Sequence, residues 1–208
     1  MTTRYKKIMS RVEDEINEYL GSVAAVVRQV DAKAVRDVVD VFDRVYRERG
    51  TIFLFGNGGG AATSTHLACD LAKGTAAVGR RRIKALSLST NVPVITAWAN
   101  DTDYTNTFGE QLYNLADERD VAVAFSGSGM SPNIINALKV IKELRGTGVL
   151  FSGGDGGKAK ENADVAVLVP SPNMQIVEDV HMVLGHVIFT LLRARMGGAK
   201  VDGMSNAP

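Results

Sequence analysis

The sequence predicts an α/β fold, a three-layer sandwich on a five-stranded parallel sheet with a helical arm in front of it. Three observations predict it. Short apolar runs ending in glycine, serine or proline recur five times from residue 51 onward, at 51–56, 83–88, 121–126, 147–152 and 165–169. Helical periodicity fills the gaps at 61–73, 92–99, 104–118, 131–145 and 156–163, and a last helix follows at 174–195. Strands separated by helices of that length form right-handed βαβ units, whose strands are parallel. The first 49 residues, in contrast, carry helical periodicity and no strand.

That arm reads as a helical hairpin. Ile8, Val12, Ile16, Tyr19, Val23, Val26 and Val30 recur at three- and four-residue steps over 4–30, and Val35, Val38, Val39, Phe42 and Val45 share one face over 32–49. Such stripes cover a sheet or a second subunit. The expected organisation is one domain, with the hairpin at 1–49, the α/β core at 50–196 and a flexible tail at 197–208. With 208 residues and 45% apolar composition, the chain is long enough for a sizeable core and too apolar for a disordered one.

Composition also bounds the partners. The net charge of +1 gives no reason to expect a nucleic-acid or anionic-membrane surface. The one basic cluster, Arg80-Arg-Arg-Ile-Lys84, reads as a solvated turn. No apolar run is expected to span a membrane, and Met1-Thr-Thr-Arg-Tyr-Lys-Lys7 has no apolar signal-peptide core. The single cysteine excludes an internal disulfide framework and points to a reducing cytoplasm. Cys69 is expected in the core, beside Leu67 and Ala72.

In open parallel sheets, ligands bind at the carboxyl ends of the strands, so the strand exits carry the functional reading. The first strand exits into Gly56-Asn-Gly-Gly-Gly60, feeding a helix whose free N–H groups and dipole favour an anion. Gly56-x-Gly58-x-x-Ala61 formally fits a dinucleotide fingerprint. The second strand, however, ends in Ser89-Thr90-Asn91 and not in the acid that would hold a ribose, so a dinucleotide is disfavoured. The third strand exits into Ser126-Gly-Ser128-Gly-Met-Ser131-Pro132. Three hydroxyls gather there at a helix N-terminus, with Ser131 as N-cap and Pro132 in the first turn, which suits a phosphomonoester. His66 and Asp70 share one face of the helix after the first loop. Glu178, Asp179, His181 and His186 lie on the last, otherwise apolar helix, where buried polar groups need partners.

Taken together, Gly56-Asn-Gly-Gly59, Thr96-Ala-Trp-Ala-Asn-Asp101, Ser126 to Asn133, Gly153-Gly-Asp-Gly-Gly157 and Val180-His181-x4-His186 resemble the sugar isomerase (SIS) domain family, on its sedoheptulose 7-phosphate isomerase branch. The resemblance covers nearly the whole chain. It implies a flavodoxin-like five-stranded parallel sheet, a homotetramer with sites at subunit interfaces, and an aldose–ketose isomerisation through an enediol. By motif it assigns phosphate to Ser126, Ser128 and Ser131, and substrate contacts to Asn57, Gly58, Gly59, Asn100 and Asp101. It gives His66, Asp70, Glu178 and His186 to a divalent metal, zinc in many members, and Asp70, Glu178 and His186 to catalysis. Three positions depart from the branch: Asp70 stands for Glu, Glu178 for Gln and Gly60 for Ser. Either Asp70 or Glu178 fits the role of base. Two other readings are a non-catalytic SIS protein that binds the replication initiator and an isomerase of another phosphosugar.

Overall fold

The computed structural model describes residues 3–76 and 81–197. The elements run α1 (Thr3–Val27), α2 (Ala32–Arg47), β1 (Thr51–Gly56), α3 (Gly59–Cys69), β2 (Lys84–Ser87), α4 (Val92–Asp101), α5 (Gly109–Leu115), β3 (Val121–Ser126), α6 (Pro132–Glu143), β4 (Thr147–Gly153), β5 (Val165–Val169) and α7 (Met174–Arg195). The expected tail lies outside the described residues apart from Gly197, as does Arg80 of the basic cluster.

The five strands form one parallel sheet in the order β2-β1-β3-β4-β5, the flavodoxin-like order. Alternation within each strand divides the core. Ile52, Leu54, Val121, Val123, Phe125, Val149 and Phe151 face α2, α3 and α7, while Phe53, Phe55, Ala122, Ala124 and Leu150 face α5 and α6. Both faces are covered, which is why the central strands read as continuous apolar runs.

The arm divides into two kinds of helix. In α2, Val35, Val38, Val39, Phe42 and Val45 are all buried against the sheet, and Asp31 caps it by accepting from the Lys33 N–H at 2.8 Å. In α1, Val23, Val26 and Val27 pack against the same core, whereas Val12, Ile16, Tyr19 and Leu20 are exposed.

Several local expectations are corrected. The helix expected at 104–118 is a 3₁₀ turn at Tyr104–Asn106, N-capped by Asp103, which accepts from the Thr105 N–H at 2.7 Å, followed by the short α5. The segment at 156–163 is only a 3₁₀ turn, since Gly156 and Gly157 both take positive φ. After Cys69 the helix widens into a π turn over Asp70–Gly74. Cys69 itself is exposed and not in the core. α7 is, by length and composition, apolar enough to cross a membrane, contrary to the sequence expectation. Its Val177, Val180, Leu184, Ile188 and Leu192 are nonetheless committed to the core.

Candidate active site at the switch in strand order

The chain leaves β1 for β2 on one side and then returns to β3 on the other, so a crevice opens above the carboxyl ends of β1 and β3. A cavity of about 300 Å³ lies there. The Asn57–Gly60 and Ser126–Ser131 loops form its sides, and Glu178 and His181 of α7 line it.

The first loop is shaped by glycine. Gly58 is the N-cap of α3 at φ +52°, where only glycine is unstrained. A Cβ on Gly59 would collide with the Glu178 carboxylate. At Gly60, a Cβ would sit 2.6 Å from the Phe125 carbonyl oxygen, so the position that carries Ser in the branch admits no side chain here without movement. Helix α3 begins at Gly59, two residues earlier than expected, which puts its first unbonded N–H groups at the cavity wall.

The second loop presents hydroxyls. Ser126 Oγ accepts from the Gly129 N–H and Ser128 Oγ from the Met130 N–H, both at 3.2 Å. Ser131 occupies the N-cap of α6, but its hydroxyl makes no capping bond. The loop rests on the one that follows β4. Gly153 N–H donates to the Gly127 carbonyl and Ala159 N–H to the Gly129 carbonyl, both at 2.9 Å. Gly129, at φ +62°, has no room for a Cβ beneath the Gly156 carbonyl.

Asn57 is held rather than free. Its amide exchanges hydrogen bonds with that of buried Asn133, at 3.0 and 2.9 Å, and its oxygen also accepts from the Tyr104 hydroxyl at 3.1 Å. Neither Asn133 nor Tyr104 stands out in the sequence as a site residue, although Asn133 lies in the serine motif and Tyr104 three residues past the Asn100-Asp101 motif. Asn100 and Asp101 are exposed at the end of α4, bonded to each other at 2.8 Å, and do not line the cavity.

A second cluster lies further along α3 and α7. His66 Nε2 and His186 Nε2 are 2.9 Å apart, and Asp70 Oδ2 is 3.4 Å from the first and 3.6 Å from the second. Two imidazole nitrogens that close share at most one proton unless a cation takes its place. Two nitrogens and one carboxylate oxygen, all within 4.8 Å, form a donor set suited to a borderline cation such as zinc. Glu178 is absent from this set. It sits two helical turns before His186 and faces Gly59, so the expected four-residue convergence is corrected to three. Asp179, the remaining acid of α7, accepts from the Tyr19 hydroxyl of α1 at 2.6 Å.

His181 is 2% exposed and wedged edge-on against Phe125 and Phe151, with ring centroids 5.9 and 6.0 Å away. Burial pushes its pKa down to about 4, and the backbone of Ser152 opposes that shift in part. It is therefore a neutral imidazole near pH 7.

A parallel 2-1-3-4-5 sheet with a serine nest at its switch point defines the chain as a SIS-domain protein, and the SIS domain family matches residues 18–150. The phosphoheptose isomerase of Clostridium acetobutylicum is 33% identical over 168 residues, 81% of this chain and 85% of that one. That of Paramagnetospirillum magneticum is 34% identical, covering 88% of this chain and 94% of its own. The solved phosphoheptose isomerase of Neisseria gonorrhoeae superposes with a TM-score of 0.81 at 25% identity, over 90% of this chain and 99% of that one. The chain belongs to the phosphoheptose isomerase family of SIS-domain proteins.

Proposed function

We propose that this chain is an aldose–ketose isomerase that interconverts sedoheptulose 7-phosphate and D-glycero-D-manno-heptose 7-phosphate in heptose biosynthesis. The observation that carries the reading is a His–Asp–His cluster further along α3 and α7, the two helices whose earlier residues line the cavity of the serine nest. Gly59 and His66 are seven residues apart on α3, about 10 Å at 1.5 Å per residue. A seven-carbon sugar phosphate, extended, is of comparable length. With its phosphate at Ser126, Ser128, Ser131 and the Gly58–Gly59 turn, its carbonyl end reaches His66, Asp70 and His186.

The reaction moves a proton between adjacent carbons and adjusts the protonation of their oxygens. In this reading Asp70 takes the proton from carbon, His186 supplies one at the neighbouring oxygen, and Glu178 lies midway, facing sugar hydroxyls. Alternatively, His66, Asp70 and His186 would together hold a divalent cation, zinc by donor type, in place of the proton on His186. When bound it would supply Lewis-acid polarisation of the substrate oxygens. The binding-protein alternative leaves that cluster without a purpose.

The arm and core act as one unit that assembles as a homotetramer. Exposed Val12, Ile16 and Leu20 of α1 with Val183 and Leu191 of α7 supply the apolar contact, and a neighbouring subunit closes over the half-exposed histidines. The protein works in the cytoplasm, where its lone exposed thiol stays reduced.

Incubation with sedoheptulose 7-phosphate and a panel of other ketose phosphates, followed by detection of aldose phosphate, tests the reading. Absence of turnover with every substrate refutes it in favour of a binding protein. Deuterium exchange into substrate separates the two carboxylates. Asp70→Asn should abolish exchange and Glu178→Gln should retain it, and the reverse outcome makes Glu178 the base.

A further inference from the structure

We propose that His181 is a substrate-contacting residue whose Nε2 accepts a hydrogen bond from a hydroxyl of the sugar chain. Among the described residues, that nitrogen is the single buried side-chain polar atom without a partner. Native proteins pair buried polar groups almost without exception, and an orphan calls for an explanation such as a ligand. His181 lines the cavity beside Ser126 and Glu178, and the His66–Asp70–His186 donor set does not include it.

The ring's orientation and tautomer define the partner it needs. Phe125 and Phe151 hold it edge-on, so the ring cannot turn without disturbing the core. The Ser152 backbone is its polar neighbour and favours a proton on the ring. Nε2 is unpaired, so that proton sits on Nδ1 and Nε2 presents a lone pair. A lone pair requires a donor. The dianion of a phosphomonoester has none, whereas a polyol chain leaving the serine nest has one on nearly every carbon. Glu178, one turn earlier on α7, is likewise an acceptor when ionised. The α7 wall therefore reads hydroxyls, and the serine loop opposite reads phosphate.

The inference rests on the isomerase reading for its substrate. Its test compares sedoheptulose 7-phosphate with inorganic phosphate, by calorimetry and by steady-state kinetics, in parent, His181→Phe and His181→Gln proteins. Phe keeps the aromatic wedge and removes the acceptor; Gln restores an acceptor of similar reach. The Phe variant should bind the sugar phosphate at least tenfold more weakly, raise KM more than it lowers kcat, and bind inorganic phosphate within twofold of the parent. The Gln variant should recover part of the loss. A loss of sugar-phosphate affinity smaller than tenfold in the Phe variant overturns the proposal. So does an equal loss for both ligands, which would mean that the ring merely props the Ser126 loop. Independently of any variant, the His181 Nε2 nitrogen resonance of the unmodified protein should move on adding sedoheptulose 7-phosphate and stay in place on adding inorganic phosphate. No movement with the sugar phosphate also refutes it. A parent that binds but does not turn over the sugar phosphate refutes the isomerase reading and leaves the His181 result readable from affinity alone. A parent that binds neither ligand refutes both.

Discussion

Asp120 and His181 occupy opposite edges of the same sheet and are almost equally buried, at 4% and 2% exposure. At the amino edge, Asp120 is filled: Oδ1 accepts from the Thr51 N–H and Oδ2 from the Asp117 N–H, both at 2.7 Å, and its carbonyl accepts from the Thr147 N–H at 3.0 Å. At the carboxyl edge, His181 Nε2 has no partner. One buried polar group is spent on tying β1, β3 and β4 together, and the other is held in reserve. Burial alone therefore does not mark function. Burial with an empty valence on the ligand side of a parallel sheet does.

The largest expected effect tests the filled side. Asp120→Ala strips acceptors from two backbone N–H groups and should cost roughly 3–6 kcal/mol of stability, at about 1.5–3 kcal/mol per bond to a charged group. That corresponds to a fall of about 10 °C or more in Tm for a chain of this size, read by calorimetry. Affinity for inorganic phosphate at 25 °C should be unchanged. A phosphate defect in the folded variant would mean that the amino edge also shapes the site.

The pH dependence of stability is next. His181 has its ordinary value of 6.5 in the unfolded chain and about 4 in the fold. Between those values the unfolded chain binds the extra proton, so this group's contribution is complete above pH 6.5 and is lost as pH falls toward 4. The upper bound is on the order of 3 kcal/mol. Denaturant titrations should show the parent losing more stability than His181→Gln across that window, and parallel curves would place the ring in contact with water.

The smallest effect on stability falls at Ser131. Losing a serine N-cap ordinarily costs about 1 kcal/mol, but this hydroxyl makes no capping bond. Ser131→Ala should change stability by less than about 0.5 kcal/mol while weakening phosphate binding several-fold. A loss near the ordinary capping cost with unchanged affinity would move Ser131 from the empty class to the filled one.

These residues also show what was legible in sequence. The strands fall within a residue or two of expectation, because a sheet buried on both faces leaves unbroken apolar runs between turn residues. The serine nest was legible because hydroxyls, glycines and a proline at N1 are local signals. Three features were not. The departure of Glu178 from the metal cluster depends on how far α3 and α7 run side by side, which no helical period encodes. The Asn57–Asn133 amide pair joins the loop after β1 to the first turn of α6, through residues that look individually like turn formers. His181 was visible one turn from Glu178, yet its orphaned nitrogen exists only once Phe125, Phe151 and Ser152 surround it.

The glycine interlock beneath the nest bears on how such an enzyme can evolve. Gly129 has no space for a Cβ against the Gly156 carbonyl, and a Cβ on Gly157 would lie 2.6 Å from the Ser128 carbonyl oxygen and 2.9 Å from Gly129. The loops after β3 and β4 thus form one mechanical piece, in which a side chain gained on either displaces both. Drift toward new substrates is barred at the phosphate end. It has to proceed through the opposite wall, where Met174, Glu178 and His181 project from a single helix. A selection experiment for altered sugar preference should accordingly collect its substitutions on α7.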